Sequence, residues 1–331
     1  MKAMAAAARR WLIARAGLAG RLPFEAAILM YHRFATAPGE SGLARRDFAQ
    51  QLDYLVRHFH VVPLAEALGG APGRRRLISI TVDDGYRSFA DVAWPELRSR
   101  GLTAAVFLPT GFIDDGGWMW QDRNIYLLRT APAARYRVPW RGRDLTLDTT
   151  GHAGLMAALL SVYEIGRRLD HAGRLELTAT LERGLATVLP SVPPTLYAPL
   201  TWDQVRELQD QGVTFGSHTV NHAILTTLPV AEARREIEDS RALLAARLGR
   251  QVDYFVYPNG DLDATVRELT RRAGYAGALS TIAGYWSARG DPFAVPRLPG
   301  PVRGGAWLAG DLWNWWRRFG APTGQFTSTS P

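Results

Sequence analysis

Apolar positions along this chain fall into two alternating rhythms. Residues 27–31 (AILMY) and Leu77–Val82 (LISITV) are apolar on consecutive positions and rich in branched side chains, which suits parallel strands covered on both faces. Between them Phe48, Leu52, Leu55 and Phe59 recur at helical spacing. A second helix is predicted to end near Arg100 with Gly101 as its cap, and residues 103–108 to form the next strand. Thr201-Trp202-Asp203-Gln204 has the form of a capping box, with Thr201 as N-cap and Gln204 reaching back, and it opens a helix that closes at Gly212. Residues 213–216 then read as a strand, and 231–248 as a long helix with Ile237, Leu244 and Leu248 on one side. A strand over 252–257, a helix over 264–273 and a strand over 276–281 complete the series.

A βα repeat of this kind gives either an open doubly wound sheet or a closed barrel. No Gly-rich dinucleotide turn follows a strand, and every polar cluster of interest falls at a strand's carboxyl end, where a (β/α) barrel carries its chemistry. The expected organisation is a basic N-terminal helix over 1–25, an α/β barrel over 26–300, and a Trp-rich segment with a disordered tail over 301–331. A helical insertion over about 118–199 interrupts the rhythm and is either a lid over the rim or a packing subdomain of its own.

With 331 residues, 47% of them hydrophobic, the chain can bury a large core. Its formal charge of +8 favours anionic surfaces, although no nucleic-acid-binding motif accompanies it, so nucleic acid is not an expected partner. The absence of cysteine excludes disulfides, thiolate metal sites and cysteine nucleophiles, leaving His, Asp and Glu as the metal ligands. Lys2, Arg9, Arg10, Arg15 and Arg21 break up the first 22 residues too often for an export signal, and no apolar stretch is long enough to span a bilayer. A cytoplasmic location is expected on those grounds. The basic N-terminus, together with Trp315, Trp316, Arg317 and Arg318, also suits peripheral contact with an anionic inner-membrane face, while docking on the barrel is the plainer alternative.

The chemistry concentrates in two short segments. Asp83 and Asp84 directly follow an apolar strand and precede Gly85; taken alone this is ordinary turn punctuation, but adjacent carboxylates there repel unless a cation sits beside them. His218 and His222 also follow a strand, and on a helical turn their spacing places both imidazoles on one face. A carboxylate from one strand end and two histidines from another form a set that leaves coordination positions open, as a catalytic metal requires. One divalent ion is expected, zinc first, with cobalt, nickel or iron also compatible.

LISITVDDGYRSF resembles the first motif of the polysaccharide deacetylases, the carbohydrate esterase family with the NodB-homology domain, and GSHTVNH resembles the second. VFLPTGF, LTWDQVRELQDQGV, FVYPNGD and DPFAVPRL are similar to further family segments in family order, and ILMYHRF is similar to the opening strand of the exopolysaccharide-deacetylase branch. The resemblance runs over most of residues 26–300. It implies a deformed (β/α) barrel of seven strands and hydrolysis of an acetyl group, above all N-acetyl, on an amino-sugar-containing glycan.

In that family the first aspartate of the first motif is the general base and the second a metal ligand, which implies Asp83 as base, Asp84, His218 and His222 as ligands, and a water on the metal as nucleophile. A backbone N–H near Tyr257, Pro258 or Asn259 would hold the oxyanion. The chain departs from the family pattern in reading YPNG where an arginine is usual, and in having no histidine after His222. His32 is therefore the expected general acid, and Arg297 the expected partner of Asp83. Trp120 and Trp202, with Trp118 and Asp122 nearby, are the expected sugar-contacting residues. The ligand set also fits a deformylase or deacetylase of a lipid-linked amino sugar, and the missing arginine and late histidine leave room for a catalytically silent glycan-binding homologue.

Overall fold

The computed structural model describes residues 2–37, 40–69 and 76–319. Helix α1 (Lys2–Arg15) leads to strand β1 (Ala26–Tyr31), the two-residue strands β2 (Phe34–Ala35) and β3 (Leu43–Ala44), helix α2 (Arg45–His58), strand β4 (His60–Val61), helix α3 (Leu64–Gly69) and strand β5 (Leu77–Val82). Helix α4 (Trp94–Arg98), strand β6 (Ala105–Leu108) and helix α5 (Thr110–Asp115) follow. Next come helix α6 (Trp120–Thr130), strands β7 (Arg135–Trp140) and β8 (Arg143–Asp148), and helices α7 (His152–Gly166) and α8 (His171–Leu185). The alternation then resumes with α9 (Trp202–Asp210), β9 (Thr214–Ser217), α10 (Val230–Leu248), β10 (Tyr254–Val256), α11 (Ala264–Arg272), β11 (Gly277–Leu279), β12 (Leu298–Pro299) and α12 (Gly305–Phe319).

The main sheet runs β11-β10-β9-β6-β5-β1-β12, with β4 beside β5, and every pairing in it is parallel. All six residues of β5 are buried, the result of placing LISITV between helices and barrel interior. Residues 295–298 draw the two edges together: Val295 bridges to Leu279 of β11, and Leu298 pairs with Leu29 of β1. The outcome is a deformed seven-stranded (β/α) barrel. Because its strands are parallel, their carboxyl ends share one rim, and the segments after β1, β5, β6, β9 and β10 meet there. The capping box at the start of α9 forms in both directions, between Thr201 and Gln204. Ile237, Leu244 and Leu248 are the buried side of α10.

Residues 118–199 build a second apolar cluster from Leu127, Val138, Leu147, Val162, Leu177 and Leu181. This insertion is not purely helical, because β7 and β8 form an antiparallel hairpin with Arg135 opposite Asp148. Only Val138, Trp140, Leu145 and Leu147 of the hairpin are buried, and the arginines between them hide the alternation in the sequence. Helix α1 lies along α12, held by an Arg10–Asp311 ion pair at 2.9 Å and by buried Ile13. No helix among the described residues is long and apolar enough to cross a membrane. The expected disordered tail lies outside the described residues.

Candidate active site

Asp83 and Asp84 continue directly from β5. Asp83 N–H still donates to Tyr31 O, after which Asp84 (φ 73°) and Gly85 (φ 68°) both turn left-handed and swing the second carboxylate away from the strand. Gly85 has a second reason to be glycine: a Cβ there would lie 2.4 Å from Leu108 Cδ2.

His218 leaves β9, its N–H donating to Leu108 O. Its Nδ1 lies 2.7 Å from Val256 O; a carbonyl can only accept, so Nδ1 carries the proton and Nε2 presents a lone pair. His222 reaches the same point by a route different from the helical turn expected from the sequence. Residues 218–222 form a loop in which Thr219 (φ 68°) and His222 (φ 49°) are both left-handed, and for a β-branched threonine that conformation is strained. The loop is fixed from two sides. Thr110 N–H and Gly111 N–H at the start of α5 donate to Thr219 O and Val220 O, while Glu236 of α10 accepts from Val220 N, Asn221 N and Asn221 Nδ2 at 2.7–2.9 Å.

Asp84 Oδ1 stands 3.6 Å from His218 Nε2 and 3.4 Å from His222 Nε2, and ligand atoms from all three residues lie within 4.8 Å of one another. Nitrogen and oxygen ligands about 2.0–2.1 Å from a tetrahedral ion are separated by roughly 3.3 Å, close to these spacings. All three side chains are buried, and Asp84 Oδ1 has no hydrogen-bond partner among the described residues. Burial lowers the pKa of both imidazoles, that of His218 to about 4, so both are neutral and ready to donate lone pairs. Burial pushes the Asp84 carboxyl well up, with Asp83 and Asp122 adding to it against Arg33 and Arg297. An orphaned buried carboxylate oxygen facing two neutral imidazoles fits a divalent cation, and Asp84, His218 and His222 form a candidate metal site.

Asp83 takes no part in that cluster. Arg297, from the segment that closes the barrel, donates Nη1 to Asp83 Oδ1 and Nη2 to Oδ2, both at 2.7 Å, while its Nε binds Ser280 O. Burial, the largest influence on Asp83, raises its pKa, but the charge and hydrogen bonds of Arg297, with His218 and His32, bring it down to about 2. His32, just past β1, holds Nε2 3.8 Å from Asp83 Oδ2, an ion-pairing rather than a hydrogen-bonding distance, with its side chain 47% exposed.

Residues 257–259 sit at the end of β10. Tyr257 N–H donates to Leu279 O and its hydroxyl to Phe293 O, so this side chain is core; Pro258 has no N–H; Asn259 alone of the three adopts a left-handed backbone (φ 58°). Trp120 is buried against Tyr163 and under Arg174, and its Nε1 donates to His222 O, which makes it a wall behind the histidine rather than a platform for a sugar ring. Trp202 is engaged elsewhere, donating to Asp114 beneath Arg247. Trp118 donates to Pro190 O within the insertion.

Two groups carry more of this site than the sequence revealed. Asp122, buried on α6, accepts from Arg33 Nη2 and Tyr86 Oη at 2.7 Å each, and Arg33 lies 4.1 Å above the Tyr86 ring. This ties the insertion to the loops after β1 and β5, a role the sequence did not reveal although it placed Asp122 beside the rim tryptophans. Glu236 gave none, because it sits in a run of charged helical residues that reads as a solvated face.

A model of the polysaccharide deacetylase family matches residues 70–278. Over 99 residues the chain is 26% identical to YxkH of Bacillus subtilis, a stretch covering 30% of this chain and 36% of that relative, and so about a third of the relative's length. The fold is similar to that of IcaB from Ammonifex degensii (TM-score 0.57, 19% identity, 89% of this chain and 98% of that one). It is also similar to the Streptococcus pyogenes deacetylase PplD in complex with acetate (0.55, 19%, 84% and 93%). The BpsB deacetylase domain from Bordetella bronchiseptica gives 0.51 at 16% identity, over 84% of this chain and 96% of that one. At such identities the structural likeness carries the fold, whereas the family match spans well over half of the chain, with both the Asp83-Asp84 and the His218-His222 segments inside it. The chain belongs to the polysaccharide deacetylase family and is built on a deformed (β/α) barrel.

Proposed function

We propose that this enzyme hydrolyses an N-acetyl group on an amino-sugar-containing poly- or oligosaccharide, with a divalent cation, zinc first, held by Asp84, His218 and His222. The observation that carries this reading is the division of labour between adjacent carboxylates: Asp84 faces two imidazoles, and Asp83 is turned away from them onto Arg297. A cation bound there polarises the acyl carbonyl and makes water a competent nucleophile near neutral pH. Asp83, kept ionised by Arg297, accepts the proton of the attacking water. The backbone N–H of Asn259 is the remaining donor of its segment for the developing oxyanion, since Tyr257 N–H is committed to the sheet. His32 faces Asp83 from the solvent side and delivers a proton to the departing amine.

The test is acetate release from a panel of N-acetylated and O-acetylated oligosaccharides, alongside metal analysis of the purified protein. N-acetylated substrates should release acetate, and Asp83→Asn should abolish release while leaving the metal content intact. Loss of a general acid or base costs about 10²–10⁴-fold, and His32→Gln should fall in that range. Formate release from an N-formylated amino sugar in place of acetate would replace this reading with a deformylase. Metal-loaded protein without hydrolysis of any panel member would replace it with a silent glycan binder.

A further inference from the structure

A cavity of about 50 Å³ lies between the barrel and the insertion, next to the candidate metal site but separated from it by Trp120; Arg123, Arg174, His171, Asn221 and Trp118 share its wall. Arg174 is 4% exposed, yet among the described residues no carboxylate lies within ion-pairing distance of it. Its Nε donates to Gly166 O at 3.0 Å and its guanidinium lies 4.3 Å from the centre of the Trp120 ring, while Nη2 is buried with no hydrogen-bond partner. Arg123, half-buried on the same cavity wall, also has its Nε buried and unpartnered.

A buried guanidinium without a counter-charge is costly, and here the half-buried Arg123 adds a second cation to the same wall. Burial is the main influence on both and lowers their pKa values, Arg174's to about 10, so Glu236 and Asp170 near Arg174, and Asp115 and Glu182 near Arg123, do not offset it. Asp115 is the acid on the cavity wall, which leaves two fixed cations there against one anion. The cavity also adjoins the first turn of α8, a 15-residue helix whose N-terminal end is positive, although the Asp170 cap takes up one of its free N–H groups.

We infer that this cavity is an anion site for a small oxyanion, a phosphate or a carboxylate, held by the guanidinium groups of Arg174 and Arg123. Oxyanions suit planar N–H donors better than halides do, because two oxygens can be met at once. The anion comes either free from solution or as an acidic substituent carried on a sugar.

Binding can be followed without turnover, so the outcome is independent of the deacetylase reading. Trp118 and Trp120 in the wall report occupancy by fluorescence, and thermal unfolding of the intact protein reports it by linkage. Inorganic phosphate and glucuronate would be titrated against sodium chloride of matched ionic strength and against neutral glucose. A saturable response to phosphate alone identifies a free ion; a response to glucuronate identifies an acidic sugar substituent; both support the site. Charged hydrogen bonds of this kind predict a roughly tenfold or greater loss of affinity in Arg174→Gln. Arg123→Gln, at a half-buried position, should weaken binding as well, and it decides the matter if Arg174→Gln does not fold. No response beyond chloride and glucose in the wild-type protein, or a response undiminished in the variants, overturns the inference.

Discussion

Arg297 grips both oxygens of Asp83 at 2.7 Å, across 214 residues of sequence and with neither group exposed to solvent. The pair does two things at once. It fastens the segment that closes the barrel to the end of β5, and it keeps a buried carboxylate ionised beside a second carboxylate. Arg297→Met removes one partner of a buried pair and should destabilise the protein by about 3–5 kcal/mol in urea unfolding. Arg297→Lys keeps the charge but cannot reproduce the two-pronged contact, and should fall between. The Asp83 pKa is depressed to about 2, below its ordinary value of 3.8, so the stability this pair contributes is present above about pH 4 and is lost as pH falls through 2. In Arg297→Met the main influence holding the carboxyl down is gone and burial raises its pKa, so this acid-induced loss should shrink; an unchanged acid limb would show that Arg297 does not set the ionisation of Asp83.

The histidines give the metal-free protein a pH dependence of their own. Burial takes His218 from the ordinary 6.5 to about 4, so between those values the unfolded chain binds a proton that the folded chain refuses. Stability from this group is whole above pH 6.5 and declines as pH falls toward 4, by at most roughly 1.4 kcal/mol per pH unit. Asp84, raised by burial, works in the opposite direction, but it is common to the wild type and His218→Gln. Chelator-treated wild type should therefore lose stability more steeply than chelator-treated His218→Gln between pH 6.5 and 4. Parallel curves would mean that His218 protonates freely in the folded state.

Glu236 holds the loop that carries both histidines, taking three hydrogen bonds from Val220 and Asn221. Glu236→Gln keeps the shape but turns one carboxylate oxygen into a donor facing N–H groups. Groups that orient metal ligands typically contribute 10–100-fold in metal affinity, and zinc affinity measured by calorimetry should fall by that factor. Activity under saturating zinc should recover most of its value, since Glu236 touches no reacting atom. Wild-type zinc affinity in the variant would show that strain at Thr219 and His222 is held by α5 alone.

The sequence made the barrel legible because its strands are continuous apolar runs and its helices carry capping signals, as at Thr201 and Gln204. Asp84, His218 and His222 were readable as a set because each follows a strand and the strands are parallel, so their ends meet. What could not be read was conformation: the left-handed residues Asp84, Thr219 and His222 carry no local signature, and a helical turn was the natural reading of the HxxxH spacing. The hairpin over Arg135–Trp140 and Arg143–Asp148 was hidden for a related reason, since only four of its twelve positions are buried and exposed arginines stand among them. Trp120 misled because a tryptophan near a rim looks the same in sequence whether it meets a sugar or backs a metal ligand.

The raised pKa of Asp84 predicts how the site exchanges a proton for a metal. Burial, Asp83 and Asp122 all disfavour its ionised form, so the metal-free carboxyl keeps its proton at higher pH than an ordinary aspartate, while both imidazoles are already neutral. A divalent cation displaces that proton, and zinc titrations over a pH series in buffers of different ionisation enthalpy should show net proton release at the acid end. The count should fall as pH rises and Asp84 ionises beforehand. Asp122→Asn removes one of the neighbouring negative charges, lowers the Asp84 pKa, and should release fewer protons at the same pH while still binding zinc. Asp84→Asn should bind zinc weakly and release none of these protons. If the wild type and Asp122→Asn release equal numbers across pH 5–7, the acid on the insertion has no electrical hold on the metal ligand, and its bonds to Arg33 and Tyr86 serve only to fasten the insertion to the rim.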